Sequence, residues 1–177
     1  MLELLKSRRS IRKYKDKKVE QEKVDILVKS ALLSPSSKGI YPWEFVVVDD
    51  TKLLTKLADS KKHGARFLQG APLAFVVFAD KNTSDVWVED TSIASTFIHL
   101  AAHKIGLGSC WIQIRNRMYN DSQTSEDYIK ELLNLPPEYR VESIIAIGYP
   151  AETKSPYGED DLQYDKVYKN EYGENYF

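Results

Sequence analysis

Apolar residues recur at helical spacing along much of the chain, and this recurrence predicts a series of amphipathic helices. Between Val19 and Leu33 they fall at positions 24, 27, 28, 31 and 32, which form one buried stripe on a helix. Ser34-Pro35 ends this helix, because the residue before a proline avoids the α region. Further helices are predicted at residues 1–6, 50–58, 65–69 and 125–133.

The segment Glu89–Ile105 is the most apolar of the predicted helices. Apolar residues occupy most of its circumference, so we expect it to be buried on nearly all sides. Gly106 follows in the C′ position, where glycine commonly ends a helix.

Continuous apolar runs bounded by turn residues predict buried strands at Phe45–Val48, Leu73–Ala79 and Val141–Ile147. Leu107–Ile114 is predicted to be a strand or an extended segment. Strands separated by helices indicate an α/β or an α+β layered domain. The chain from Ala151 onward has no clear periodicity but carries five tyrosines and ends in Phe177. Such an aromatic tail is expected to pack on another surface.

The totals favour one domain, residues 1–177, of ordinary globular composition. The chain has a mass of 20.3 kDa, is 42% hydrophobic and 29% charged, and has a net charge of −1. That charge gives no argument for nucleic acid or an acidic membrane as a partner. Cys110 is the single cysteine, which fits a reducing cytoplasm, and the N-terminus is charged too early for a signal peptide. A cytoplasmic protein is therefore predicted.

The first candidate for binding chemistry is Arg8-Arg9-Ser10-Ile11-Arg12. Arginine suits phosphate because its planar fork donates two parallel charge-assisted hydrogen bonds. In extended backbone Arg8, Ser10 and Arg12 would point to one side, since side chains alternate. On local composition alone, a solvated basic turn or a short nucleic-acid patch explains the stretch equally simply.

Three further stretches change this interpretation when they are read together with the arginine segment. They are Ser34-Pro35-Ser36-Ser37 followed by Pro42-Trp43-Glu44-Phe45, then Gly106-Leu107-Gly108-Ser109-Cys110-Trp111-Ile112, and finally Ile147-Gly148-Tyr149-Pro150-Ala151-Glu152. In this order and at these separations, the four stretches resemble the nitroreductase family of FMN-dependent flavoenzymes, in its shorter form. The resemblance covers the chain from Leu5 to about Glu152.

The resemblance implies an α+β fold, with a central mixed or antiparallel sheet flanked by helices, in an intertwined homodimer. Residues 152–177 would be a C-terminal extension that packs on the partner subunit. It also implies that FMN is bound by residues matching the family's cofactor site. The phosphate, ribityl chain and pyrimidine edge would be bound by Arg8, Arg9, Ser10 and Arg12.

The other implied contacts come from later stretches. Pro35, Ser36 and Ser37 would lie against the flavin of the other subunit, and Gly39 stands where the family often has an asparagine. Trp111, Ile112 and Gln113 would pass the central ring, with a backbone N–H near Gln113 donating to flavin N5. Lys154 is the candidate for the last phosphate contact, because the arginine often found slightly later is absent. The Gln113 side chain is expected to be dispensable.

The implied activity is transfer of electrons from NADH or NADPH to a nitroaromatic, a quinone or a similar flat acceptor, by a ping-pong mechanism. FMN carries the redox chemistry, so no catalytic acid, base or nucleophile is required. The alternatives are a flavin reductase, an FMN-binding protein without nitroaromatic turnover, and an RNA-binding module. The near-neutral charge and the lack of a nucleic-acid motif argue against the RNA-binding module.

Other suggestive residues have simpler interpretations. His99 and His103 have a spacing that can hold zinc, but the glutamate of a zinc-protease motif is missing, so no metal site is predicted. Cys110 is predicted to be a packed thiol, since no positive charge is near it in sequence. Trp43 either borders the cofactor or belongs to the core.

Overall fold

A computed structural model describes all 177 residues and contains five helices and four strands. The helices are α1 Leu2–Ser7, α2 Gln21–Leu32, α3 Thr51–Ala58, α4 Trp87–Lys104 and α5 Ser125–Leu133. The strands are β1 Trp43–Val48, β2 Leu73–Asp80, β3 Gly108–Gln113 and β4 Tyr139–Gly148. Each helix and strand predicted from the periodicity is present, with the segment at residues 65–69 forming a 3₁₀ turn, Arg66–Gly70.

The four strands form one antiparallel sheet in the order β1-β2-β4-β3. Wholly antiparallel pairing makes the fold α+β rather than α/β. The prediction that Phe45–Val48 is a buried strand is wrong. β1 lies at the edge of the sheet with only β2 beside it, and Val47 is 39% exposed.

Helices cover both faces of the sheet, and each face has its own apolar core. On one face, Leu54 and Leu57 of α3 and Ile129 of α5 pack toward Ile144 of β4. On the other face, α2 and α4 pack over Phe75 and Ile145, with Leu27, Ala31, Ile98 and Ala102 fully buried. This arrangement leaves the two edges of the sheet, at β1 and β3, as the places where main-chain groups are open.

α4 is the longest helix, and it is not buried on nearly all sides as predicted. Most of its surface is covered by the sheet, α1 and α2, but one stripe through Ile93 and Phe97 remains open, with each residue 37% exposed. Gly106 follows the helix with φ +80, as expected for a C′ glycine. The open stripe is an apolar surface that the single chain leaves uncovered.

The last twenty residues form a small arm that folds mostly on itself. Tyr168 and Asn175 make an antiparallel bridge, and the rings of Tyr164 and Phe177 meet edge to face with centroids 4.5 Å apart. The arm joins the rest of the chain at α1, where Lys6 Nζ lies 2.6 Å from Glu159 Oε1. Its tyrosines stay exposed, so the surface on which they were expected to pack is not within this chain. None of the helices combines the length and the apolar character needed to cross a membrane.

Candidate functional site

The segment Arg8–Tyr14 runs along the outer edge of β3. Ser10 pairs with Ser109 in a parallel bridge, and Ile11 N donates to Ser109 O at 3.0 Å. Ile11 is 8% exposed and lies directly over Gly108, where an added Cβ would come within 2.8 Å of the isoleucine side chain. Gly108 is therefore required for this close approach, which fixes the position of the arginines.

The cations of this segment lie close to β3, where several of them act on the thiol of Cys110. Lys154 joins the segment by donating to Ser10 O at 2.6 Å. Burial raises the pKa of the Cys110 thiol, while Arg12, the hydrogen bond with Ser10, Lys154 and Arg8 all act in the opposite direction. Four of the residues predicted to bind FMN thus lie near the same part of β3 within a single chain.

Arg9 lies apart from this group. Its guanidinium donates to Ser155 O and stacks on the ring of Tyr157, with Cζ 4.2 Å from the centroid. Arg9 therefore contacts the beginning of the tail.

Glu152 positions the backbone of the cationic segment, a role that the sequence analysis did not assign. Its Oε1 accepts from Arg12 N at 2.5 Å and from Lys13 N at 3.2 Å, and it lies 3.8 Å from Lys154 Nζ. The hydrogen bond from the Arg12 backbone is the main reason that the pKa of Glu152 is lowered. The carboxylate thus accepts hydrogen bonds from backbone N–H groups and partly compensates the charge of Lys154. It makes no ion pair with the guanidinium of Arg8 or Arg12.

His99 and His103 support the same region from α4. His99 Nδ1 is 2.7 Å from Ser109 Oγ, and His103 Nε2 is 2.8 Å from Ser7 Oγ. Burial, followed by the charge of Arg8, lowers the pKa of both rings, to about 4 for His99. These rings are therefore neutral at physiological pH and link α4 to β3 and α1 through hydroxyl groups.

The register of β3 determines where the backbone N–H of Gln113 points. Ile114 N donates to Glu142 O of β4 at 3.1 Å, so the neighbouring pair, Gln113 and Ser143, is a pair without ladder hydrogen bonds. The N–H and C=O of Gln113 therefore both point away from β4, to the outer edge. Lys61 Nζ confirms this direction by donating to Gln113 O at 3.2 Å.

The side chain of Gln113 takes part in several hydrogen bonds, whereas its expected dispensability for hydride transfer stays a prediction. Its Oε1 accepts from Trp111 Nε1 at 2.9 Å, and its Nε2 donates to Arg115 O at 3.2 Å and to Glu142 Oε1 at 3.1 Å. The Glu142 side chain is only 5% exposed, and burial raises its pKa. This network ties the end of β3 to Glu142 of β4, while the strand register sets the direction of the Gln113 N–H.

The loop Pro35–Gly39 lies far from the arginines of its own chain. Ser37 N donates to Asp90 near the start of α4, at 2.9 Å, whereas Ser7, beside Arg8, contacts His103 at the other end. At about 1.5 Å per helical residue, the two anchors are about 20 Å apart along the helix axis. One chain therefore does not bring Ser36 and Ser37 to the group around Arg8. The tight turn of this loop uses positive φ at Lys38 and Gly39.

Trp43 is largely buried next to the Pro35–Gly39 loop, and its position at the border of the cofactor stays a prediction. It is 8% exposed and packs against Phe45, with ring centroids 5.4 Å apart, and against Tyr41 at 5.6 Å. The aromatic cluster supports the Pro35–Gly39 loop where the chain enters β1.

Comparisons with known proteins agree with this geometry. The model of the Nitroreductase family matches residues 5–65 and 54–149. A solved FMN-dependent nitroreductase from Clostridium difficile R20291 is 55% identical, with a TM-score of 0.96, over 97% of this chain and 100% of that one. An Archaeoglobus fulgidus protein whose name includes NAD(P)H nitroreductase is 36% identical over 90% of this chain and 91% of its own. The iodotyrosine deiodinase of Thermotoga neapolitana is 27% identical over 92% of this chain and 95% of its own.

Proposed function

Because the chain belongs to the nitroreductase family, we propose that it is an FMN-dependent oxidoreductase that takes its electrons from NADH or NADPH. The observation that carries this proposal is the convergence of Arg8, Ser10, Arg12 and Lys154 beside an outward N–H of β3. Cations at one end and a neutral donor at the other fit a molecule with a phosphate at one end and a polar ring system at the other.

The residues present fit FMN on their own chemistry. Neither Arg8 nor Arg12 makes an ion pair with a carboxylate, so both guanidinium groups are available to a phosphate dianion. Lys154 adds a third cation and Ser10 adds a hydroxyl. Arg8 and Lys154 are half-buried and Arg12 is exposed. Cations grouped with so little internal compensation are most stable with an anion bound to them.

When bound, FMN supplies a ring that accepts hydride from the nicotinamide and passes electrons to the acceptor. The protein binds and orients that ring. The Gln113 N–H is the donor proposed for N5, and the register of β3 aims it outward. The network of Trp111, Gln113 and Glu142 ties this end of the strand to β4. A pre-aligned donor in a site shielded from water is worth more than the same donor in water.

We also propose that the site is completed by a second copy of the chain. Large apolar side chains stay exposed on the open stripe of α4 at Ile93 and Phe97, on α1 at Leu2 and Leu5, and on the tyrosine-rich arm, and such residues commonly mark an interface when they are grouped. Two α4 helices packed in opposite directions would bring the Pro35–Gly39 loop of one subunit to the Arg8 end of the other. A two-fold axis makes both sites identical. Residues 152–177 would then pack on the partner.

The acceptor is proposed to be a nitroaromatic, a quinone or another flat molecule that stacks on the ring. A single open ring face would serve both substrates in turn, which requires ping-pong kinetics with oxidised nicotinamide leaving before the acceptor enters. The second candidate is a flavin reductase, or an FMN-binding protein without such turnover. It shares the whole binding site and differs only in what happens after reduction.

The test is to purify the protein, add FMN, and record its visible spectrum before and after anaerobic addition of NADH. We expect flavin bands near roughly 450 nm that bleach on addition. Menadione or nitrofurazone should restore the bands and give parallel double-reciprocal lines at varied NADH. Failure to bind FMN at micromolar concentration would overturn the main proposal. Bleaching without reoxidation by either acceptor would favour the FMN-binding alternative, and intersecting lines would require a separate acceptor site.

A further inference from the structure

Lys61 lies beside the ring end of the proposed flavin site, in the loop after α3. Its Nζ donates to Gln113 O at 3.2 Å, and the C=O and N–H of Gln113 point to the same outer edge. The ammonium group is therefore on the same side of β3 as the donor assigned to N5. No sequence pattern selects Lys61, since Lys61 and Lys62 look like one pair of surface lysines.

The charge of Lys61 has no acidic partner. Lys62, next to it in the chain, makes an ion pair with Asp121, whereas the hydrogen bond of Lys61 ends on a backbone carbonyl. Burial and the nearby positive charge of Arg117 lower the pKa of Lys61. Lys61 is thus a half-buried cation with another cation nearby and no acidic partner.

We propose that Lys61 is a further cofactor-facing residue that sets the reduction potential of the bound flavin. The proposal rests on the proposed FMN site. The two-electron reduced ring carries more negative charge than the oxidised ring, so an uncompensated cation at its edge stabilises the reduced form. Arg8 and Lys154, at the other end of the proposed site, act on the phosphate instead. One group of cations therefore binds the phosphate, and Lys61 sets the reduction potential of the ring.

The experiment compares Lys61→Met with Lys62→Met, because both remove one charge from adjacent positions and only the first faces Gln113. The midpoint potential of bound FMN is measured by equilibration with a redox dye. Lys61→Met should weaken binding of reduced FMN relative to oxidised FMN by about tenfold, which lowers the potential by about 30 mV for a two-electron couple. Lys62→Met should keep the parent potential, and Lys61→Arg, which keeps the charge, should restore most of it.

A second measurement shows which end of the cofactor Lys61 acts on. Binding of FMN and of riboflavin, which lacks the phosphate, is titrated for both variants. Lys61→Met should change the two affinities by the same factor, because its target is the ring. A loss confined to FMN would assign Lys61 to the phosphate and overturn the proposal. The proposal would also be overturned if Lys61→Met kept the parent potential while its melting temperature fell, because Lys61 would then only stabilise the fold. If the parent protein binds neither flavin, the failure belongs to the proposed function and not to Lys61.

Discussion

The segment Arg8–Tyr14 and the loop Pro35–Gly39 lie at opposite ends of α4 and are built in different ways. The first segment is tied to β3 by main-chain hydrogen bonds, sits over Gly108, and turns unpaired guanidinium groups outward. The loop uses its polar groups internally. Ser36 Oγ accepts from Tyr41 N at 2.7 Å, and Ser37 N donates to Asp90.

This difference indicates what each region contributes to a shared site. Arg8–Tyr14 offers free donors and charge, so it can bind an anion without help from another chain. Pro35–Gly39 offers a stiff surface, with backbone in the left-handed region at Lys38 and Gly39 and few spare donors. A rigid loop of this kind can exclude water from a site, and the exclusion of water strengthens the electrostatic interactions inside it. The loop therefore contributes to a flavin site only in the dimer. The arginines can bind the phosphate in one chain, and the dimer only shields them from water.

The strongest test of this comparison is to separate the subunits without touching either region. Phe97→Glu places a charge on the open stripe of α4, twice per dimer by symmetry, and loses the burial of two aromatic rings. We expect a monomer by light scattering, with dimer affinity weakened at least about a thousandfold. FMN binding should fall with it, because the partner's loop no longer covers the ring.

Met118→Glu is the matched control for this substitution. Met118 is also an exposed large apolar residue, but its main chain pairs with Thr124 and with Lys62 in the loop after α3. It should leave both the assembly and FMN binding unchanged. A monomeric Phe97→Glu protein that binds FMN like the parent would mean that the arginine end is sufficient and that the site is not shared.

The next test concerns the alternation within the cationic segment itself. Arg8→Ala removes a guanidinium that faces the cluster and should cost two charge-assisted hydrogen bonds of about 2 kcal/mol each, or on the order of a thousandfold in FMN affinity. Arg9→Ala removes the same group from the opposite side, where it contacts Ser155 and Tyr157, and should change FMN affinity less than about threefold. Fluorescence titration measures both. Equal losses would mean that Arg9 turns toward the phosphate when FMN binds.

Much of this molecule could be read from the sequence because its helices and strands obey local rules. The helical stripe of α2, the helix α5 at Ser125–Leu133 and the strand β2 follow directly from periodicity. The exposure of β1 could not be read in this way, because strand order depends on long-range pairing and an apolar run looks alike at an edge or in the centre.

The candidate site divides along the same line. The closeness of Arg8, Ser10 and Arg12 within one short extended segment is contained in the sequence. The position of Lys61 beside Gln113, the hydrogen bonds of the Gln113 amide and the support from His99 depend on contacts between distant parts of the chain. No local pattern distinguishes such residues from ordinary surface or core positions.

The last test separates backbone from side chain at Gln113, the residue where both now have a role. Gln113→Pro removes the outward N–H without breaking a ladder hydrogen bond, because the residue pair Gln113 and Ser143 has none, and proline is tolerated at such edge positions. Loss of one pre-aligned donor costs about 3 kcal/mol, so reduction of bound FMN by NADH should slow on the order of a hundredfold in stopped flow. Gln113→Ala keeps the N–H but leaves Trp111 Nε1 and Glu142 Oε1 without their partner. This variant should therefore have a lower melting temperature, while its bound FMN is reduced within a few-fold of the parent rate.

Ile114→Pro, which does break a ladder hydrogen bond to Glu142, is the control for the effect of general strain. If Ala slows reduction as much as Pro does, the side-chain network carries the function and the N–H does not. If Pro reduces at the parent rate with FMN fully bound, this end of β3 does not face N5.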